Sequence, residues 1–579
     1  MRKEVVNLLG MTAAGLSGKI KRRNSRLFIF LFAVVCIACV SYPVVSGMVV
    51  SNGTELDYNL LRIESLKNGL LSGVFPTRIN AEFFSGYGYG ASLTVPDLFL
   101  YIPALLRITG CDINFSYNIF LLFCICLTFV TVYICGKYIS KSRYVGLISA
   151  ALVVLSQYYT NVLYYRANMG EILSFIFMPL VIMGMYSLIC DSFDKPYILF
   201  IGFTGLFFSH ISLFMITTVI SLFLCLIFSR RFTKNPGRLL RLFYVIILTA
   251  LVTMCFWLPY IEQLSTTTFW SSWLNMDRIT ASLGSLFSVS QNYVEGEYVI
   301  PAFGVVLLLL CFLRVFIRQN KQNSLKLEIS DRLLVIGLFC IWAASRYFPL
   351  NIWWMIKGIG FPTSLQLPAV VLLAVCAALI LDVNFTKHKQ RSMIMFAVTV
   401  VSVLVLWTGV SDSPLSYTER QDDYFSDSYY TYPMTETAMI PDGAEYSKFN
   451  HSGQIEFDDG TMIPVSEKNN THIRFEQSGY QTTDDNIEYH LFANVPLLYY
   501  HGYAAEFTDQ HGNVTPLEVS WENEAHTIRV QLPPQEGIVH VWYAGTMIQT
   551  VSFIVSIIAS GCAVVFFIFV GKRKKQEQV

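Results

Sequence analysis

The chain of 579 residues is 54% hydrophobic and only 14% charged, with a mean hydropathy of +0.49, whereas soluble domains carry about 25% charged residues; a soluble enzyme is excluded. The formal net charge of +1 hides two opposed imbalances: residues 411–550 hold 22 of the 40 acids and 5 of the 41 bases, so that segment is near −17 and the remainder near +18. No basic soluble face is left for a nucleic-acid partner.

The N-terminal stretch 1–26 is basic (Lys19, Lys21, Arg22, Arg23, Arg26) and feeds an apolar run to Val50 that is too long for a signal-peptide core, so it reads as a retained first span. Further spans are expected at 115–135, 144–162, 171–190, 239–259, 300–317, 333–348, 363–382, 393–410 and 551–570. Basic clusters at Lys137/Lys141/Arg143, Arg230 to Arg241, Arg318 to Arg332, Lys387 to Arg391 and Lys572 to Lys575 assign those loops, and both termini, to the cytoplasm. Parity then requires 197–228 to enter and return, so two short helices turning near Ser209 and His210 are expected, for about 12 spans in all. The segments 51–114, 163–170, 260–299, 349–362 and 411–550 fall outside. All 13 cysteines lie outside 411–550, most in apolar runs, and read as small buried hydrophobes.

The outer segment 51–114 opens with Glu55 and Asp57. It continues as an amphipathic helix in which Leu56, Leu60, Ile63 and Leu66 recur at helical spacing, so that one face can rest on the membrane surface. Acids and bases at that depth suit a reaction between a lipid-borne group and an external acceptor. The run Phe84-Ser85-Gly86-Tyr87-Gly88-Tyr89-Gly90 is a turn whose Tyr87 and Tyr89 could pack against sugar rings or anchor the loop at headgroup level. Midplane charge is sparse, with His210 the main deep exception, which disfavours an ion-coupled carrier. The outer segment 260–299 contains Trp270, Trp273, Asp277 and Arg278, a mixture suited to an acceptor groove or an aromatic belt.

The acid after the first span, the Arg62-containing helix, Gly-Leu-Leu-Ser-Gly-Val-Phe-Pro-Thr-Arg at 69–78 and the GYGYG turn together resemble the YfhO-like bacterial membrane proteins, of the GT-C class of polyprenyl-phosphate-sugar-dependent glycosyltransferases. The likeness extends to Arg166 through Glu171, Ser209-His210, Gly360-Phe361-Pro362 and Tyr499 to Tyr503. It implies a polytopic α-helical GT-C-like body at 27–410 and transfer of a sugar from a polyprenyl-phosphate donor to a cell-envelope glycan outside the membrane. An inverting transfer needs a base for the acceptor hydroxyl and cations for the departing phosphate. Asp57 is the first expectation for the base, with Glu55 and Glu171 next. Arg166, a cation in a short outer loop, leads for the phosphate, ahead of Arg78 and Lys357, because its planar fork binds two oxygens. Arg62, Tyr87, Tyr89, His210 and Trp273 complete the expected substrate contacts. Some GT-C enzymes use a divalent metal, yet no dense carboxylate cluster here demands one.

In 411–550, alternating segments at His472–Gln477, Ile487–Val495, Thr527–Leu532 and Ile538–Gly545 read as strands of a β-rich extracytoplasmic domain, followed by the last span and a basic tail at 551–579. Two other functions fit such a chain: a transporter or flippase of envelope lipids, and a noncatalytic envelope-assembly protein.

Overall fold

The computed structural model describes residues 26–46, 48–53, 55–230, 236–270, 303–321, 323–349, 352, 362–412, 414–420, 440–441, 444, 449, 453–481, 487–521 and 526–576. Six helices among them are long and apolar enough to cross a bilayer: Arg26–Val44, Ile113–Ser140, Met169–Cys190, Pro362–Asn384, His388–Asp412 and Met547–Ile568. Two bent pairs, Arg143–Val154 with Gln157–Tyr165 and Gly237–Val252 with Met254–Thr266, bring the number to eight if each is one span.

The expected twelve are not reached among the described residues, and local chemistry accounts for the difference. The predicted span 300–317 is represented by Val305–Phe316, only about 18 Å of helix at 1.5 Å per residue. The predicted span 333–348 belongs to a longer helix, Ser324–Ala344, whose first turns carry Lys326, Glu328, Asp331 and Arg332. The stretch 197–228 forms two short helices, Pro196–Ser209 and Ile211–Ile227, broken at His210. A second break follows Leu155, where the Ser156 hydroxyl accepts the Tyr159 N–H (3.2 Å) and so begins a new helix.

Pro362–Asn384 is the central helix, with its whole apolar window enclosed by protein. It packs against Ser324–Ala344 and Arg143–Val154. Gly337 allows this closeness, since a Cβ there would meet Leu373 Cδ2 at 2.7 Å. Arg26–Val44, His388–Asp412 and Met547–Ile568 are peripheral and leave most of their apolar surface to lipid.

The C-terminal part carries two antiparallel five-stranded sheets, in strand order Val519–Ser520, Thr527–Gln531, Phe492–Leu498, Gln454–Phe457, Met462–Pro464 and Val514–Leu517, Tyr503–Asp509, Gly537–Tyr543, His472–Gln477, Glu467–Asn469. Strict alternation sends Ile473 and Phe475 inward from one sheet and Ile455 and Phe457 from the other. Phe457 and Phe475 meet edge to face across the interface, centroids 6.4 Å apart.

Two long-range ties join sheets and helices. Val49–Val50 pairs with Tyr417–Thr418, which fixes the end of the first helix to the segment after His388–Asp412. Around the glycine-rich turn, the Leu498 N–H donates to Tyr87 O (2.8 Å) and Lys468 Nζ to Gly86 O (2.8 Å). Gly90 lies so close to Tyr500 that a Cβ would fall 2.8 Å from its ring.

Candidate functional site

The site is organised by the helix Leu56–Leu71. Its apolar residues Leu56, Leu60, Leu61, Ile63 and Leu66 are buried within the protein rather than laid on lipid, because the loop to residue 90 and the helix Tyr101–Ile108 close over them. Polar side chains are therefore carried into the interior as well. Positions 55, 59 and 62, four and then three residues apart, share one face.

Glu55 stands at the N-cap, with its N–H on Arg166 O (2.9 Å) and Oε1 accepting from Asn168 Nδ2 (2.8 Å). Asn59 Nδ2 donates to Glu55 O (2.8 Å) and Ala167 O (2.9 Å), stitching the helix to the 166–168 loop. That approach needs glycine at 53, where a Cβ would lie 2.4 Å from Ala167 Cβ. The same loop starts the helix Met169–Cys190: Asn168 Oδ1 accepts the Glu171 N–H (2.8 Å). Glu171 is closed on both oxygens, by Arg166 Nη1 (3.0 Å) and the Tyr158 hydroxyl (2.8 Å). His210 packs beside this cap, its Nδ1 accepting the Leu213 N–H (3.4 Å) and its Cδ2 2.9 Å from where a Cβ on Gly170 would be.

Arg62 extends the network through Asn59 Oδ1 (3.4 Å) to Pro96 O (3.2 Å) and an ion pair with Asp97, its guanidinium 5.2 Å from the Tyr58 ring centre. Arg62 Nε and Asp97 Oδ2 are buried with no hydrogen-bond partner among the described residues. These are the valences a ligand would fill.

Charge along this arc is unevenly matched. Arg62 answers Asp97 and Arg166 answers Glu171, while Glu55 has no cation at ion-pair distance among the described residues. Burial raises the Glu55 pKa above the ordinary glutamate range, Arg166 and Arg62 pulling it back and Glu171 adding to the rise. Arg78 is the converse. Its guanidinium makes one hydrogen bond, to Cys255 O (3.1 Å) at the bend between Gly237–Val252 and Met254–Thr266, and has no carboxylate partner among the described residues. Burial lowers its pKa, with Cys255, Tyr543, Tyr101 and Asp97 close enough to oppose the shift.

The other expected residues are placed as follows. Asp57 points away from the arc and receives both arms of Arg420, Nε at 3.1 Å and Nη2 at 3.2 Å. Arg420 is in turn clasped by Asn114, whose Oδ1 accepts its N–H (3.0 Å) and whose Nδ2 donates to its carbonyl (2.9 Å). Tyr87 stacks on Phe449 at 4.7 Å, and Tyr89 packs on Phe83 and Phe84; both rings are buried, so neither offers an open face. Trp273 and Lys357 lie outside the described residues. Glu64, bound by Arg107 at 2.8 and 3.0 Å, pins the helix to Tyr101–Ile108.

Sequence reasoning missed Asn59, Asp97, Tyr158, Asn168 and Arg420. Asp97 did carry a signal: it is the single acid between Glu82 and Asp112, in an otherwise apolar stretch. The neutral residues carried none. Among the described residues, a three-ligand grouping of metal-binding type occurs at Asp458, Asp459 and His490, in the first sheet's hairpin rather than along the arc.

The profile of a family described as a family of unknown function (DUF6541) matches residues 76–356, a stretch that contains Arg78, Asp97, Arg166, Glu171 and His210 and begins after Glu55. An uncharacterized protein of Lactococcus lactis subsp. cremoris (strain MG1363) is 22% identical over 337 residues, 55% of this chain and 54% of that relative. The chain therefore spans about half the length of the curated relative it matches. Among solved structures, the apo oligosaccharyltransferase of Archaeoglobus fulgidus is similar over 71% of this chain and 61% of its own, with 12% identity and a TM-score of 0.39.

Proposed function

We propose that the protein is a membrane glycosyltransferase of the GT-C type, moving a sugar from a polyprenyl-phosphate donor to a cell-envelope glycan or polymer on the exoplasmic side. The observation that carries the reading is the unpaired couple on one helix–loop unit: a half-buried carboxylate without a cation at ion-pair distance among the described residues, Glu55, and a half-buried guanidinium without a carboxylate at that distance, Arg78. Structural ion pairs saturate each other, as Glu171 and Arg166 do. A couple left open suits a reaction that brings its own proton and its own anion.

In this mechanism Glu55 takes the proton of the acceptor hydroxyl as the acceptor oxygen bonds to the anomeric carbon. The bond from that carbon to the phosphate oxygen breaks, and its electron pair leaves with the polyprenyl phosphate. Arg78 meets the charge that accumulates there, and its planar fork suits two phosphate oxygens. The raised Glu55 pKa increases its strength as a base once ionised. Arg62 and Asp97, each with an open valence, hold the sugar between the two. Asp57 is assigned to keep Arg420, and with it the segment entering the β-rich part, over the helix. The exoplasmic orientation rests on the basic loops and tails, which favour the cytoplasm.

The test is release of polyprenyl phosphate from a labelled polyprenyl-phosphate sugar by the purified protein, with Glu55→Gln as control. Turnover in the wild type and none in the variant supports the reading. Transfer of the intact lipid across a vesicle without cleavage would replace the enzyme by a flippase.

A further inference from the structure

Between the second sheet and the start of the last membrane helix lies a cavity of about 650 Å³, walled by Tyr499, His501, Ala504 and Leu517 on the sheet side and by Glu262 and Thr546 on the helix side. None of these residues belongs to the arc described above. Glu262 comes from the helix Met254–Thr266, and its side chain is only 10% exposed. One of its oxygens accepts the Thr546 hydroxyl (2.7 Å), and the other lies 3.9 Å from His501 Nε2. The next residue, Gln263, fixes His501 by accepting its N–H (3.2 Å) and donating to its carbonyl (2.6 Å).

The charge of this cavity decides what it can hold. Thr546 Oγ1 also accepts the Gln549 N–H (3.1 Å), so it caps the helix Met547–Gln576. A helix N-terminus attracts anions, but here the Glu262 carboxylate already takes that place. A phosphate entering beside it would meet a like charge in a half-enclosed space. What is on offer is a carboxylate with lone pairs to spare, an imidazole, the Tyr499 ring and the apolar surface of Ala504 and Leu517. A few convergent polar groups on an aromatic and aliphatic wall suit a neutral ligand rich in vicinal hydroxyls.

The cavity is also close to Arg78. Cys255, whose carbonyl Arg78 holds, and Glu262 are on one helix, seven residues and so about 10 Å apart along its axis. Tyr543 joins the two, its hydroxyl donating to His501 O (3.2 Å) while lying within electrostatic reach of both Arg78 and Glu262.

We propose that this cavity binds a neutral saccharide, with Glu262 accepting hydrogen bonds from adjacent hydroxyls. The site stands on the cavity alone and lies on the Arg78 side of the arc. Cellobiose and N,N′-diacetylchitobiose are suitable probes for saturation-transfer NMR on the full chain in phosphatidylcholine nanodiscs. At least one should receive saturation. Glu262→Ala should weaken its binding at least tenfold, and Ala504→Trp should abolish it. Ala504 is on the outward-facing side of its strand, between buried Tyr503 and Ala505, so the bulkier ring enters the cavity without entering the core. Inorganic phosphate should not compete. Absence of saturation for both disaccharides, binding unaltered in both cavity variants, or displacement by inorganic phosphate would overturn the proposal. Failure of the two ideas can be told apart. Saccharide binding sensitive to Ala504→Trp in a protein that cleaves no donor would leave the cavity and remove the transferase, whereas donor cleavage by a protein that binds neither disaccharide would do the reverse.

Discussion

Two carboxylates near opposite ends of the helix Ile113–Ser140, a helix of 28 residues and so about 42 Å long, show how the same group serves two ends, Asp382 buried and Glu55 half-buried. Asp382 is received by Arg391 at 2.7 Å and by Lys326, with the Ser142 hydroxyl at the limit of bonding distance. It closes the ends of three helices against one another and leaves little for a ligand. Glu55, at the other end, has one amide donor and no dedicated cation. The first is an architectural anion satisfied by its own chain, and the second keeps its proton chemistry open.

The largest effect should come from neutralising each anion in turn. Glu55→Gln is expected to lower turnover at least 10³-fold, about 4 kcal/mol of barrier, without loss of stability. The sign follows from the raised pKa: a carboxyl raised in the folded state stabilises the fold fully below the unfolded value near 4.3 and loses that contribution as pH rises through the folded value. At neutral pH the glutamine should therefore unfold at a slightly higher temperature than the wild type. Asp382→Asn should do the opposite, costing about 2 kcal/mol of stability while each folded molecule keeps its turnover. Thermal unfolding and donor cleavage measured on the same preparations check both halves.

Next in size are the two arginines. Arg166→Ala leaves Glu171 buried with only the Tyr158 hydroxyl and its own capping contact, so it should destabilise the fold by about 3 kcal/mol. Arg78→Ala removes a guanidinium that no carboxylate needs, so stability should change by less than about 1 kcal/mol while the donor KM rises roughly 30-fold. If the donor KM instead follows Arg166→Ala in a folded protein, the phosphate sits by Glu171 and the arc must be read in the other direction.

A smaller and more specific effect concerns pH. Because burial, with Glu171, holds the Glu55 pKa above the ordinary glutamate range against Arg166, Arg62 and Asn168, kcat/KM should fall on acidification through a pKa higher than that of an exposed glutamate. Asn168→Ala removes the hydrogen bond that favours the ionised form and should move that limb further up. A limb that stays put would place the titrating base elsewhere.

Legibility in the sequence follows from how local each cause is. His472–Gln477 was readable because period-two alternation lies within six residues, and the helix break at His210 because 32 apolar residues are too many for one span. Six to eight of the expected twelve spans are long and apolar enough among the described residues, since helices break where side chains such as Ser156 find local hydrogen bonds and where charges occupy first turns, as in Ser324–Ala344. Glu55, Arg166 and Glu171 stood out as charges amid apolar residues. Their partition into a saturated pair and an open acid could not be read, because it depends on Asn59 and Asn168, neutral residues separated in the chain from the groups they hold. Asp57 ranked first for its position after the first span. Helical spacing sets it on the face opposite positions 55, 59 and 62, where Arg420 receives it.

The smallest expected effect is also the most discriminating. Asp57 and Arg420 form a two-armed pair with side chains 23% and 17% exposed, and a pair so placed contributes about 1 kcal/mol or less. Asp57→Asn keeps the shape and one acceptor, so donor cleavage should fall no more than about fivefold, and Arg420→Gln should produce a similar loss. The double variant should cost little more than either single one, because both remove the same contact. Loss of cleavage by 10³-fold in Asp57→Asn with Arg420→Gln nearly intact would mean that Asp57 itself takes the proton and that the Arg420 fork leaves it when substrate arrives.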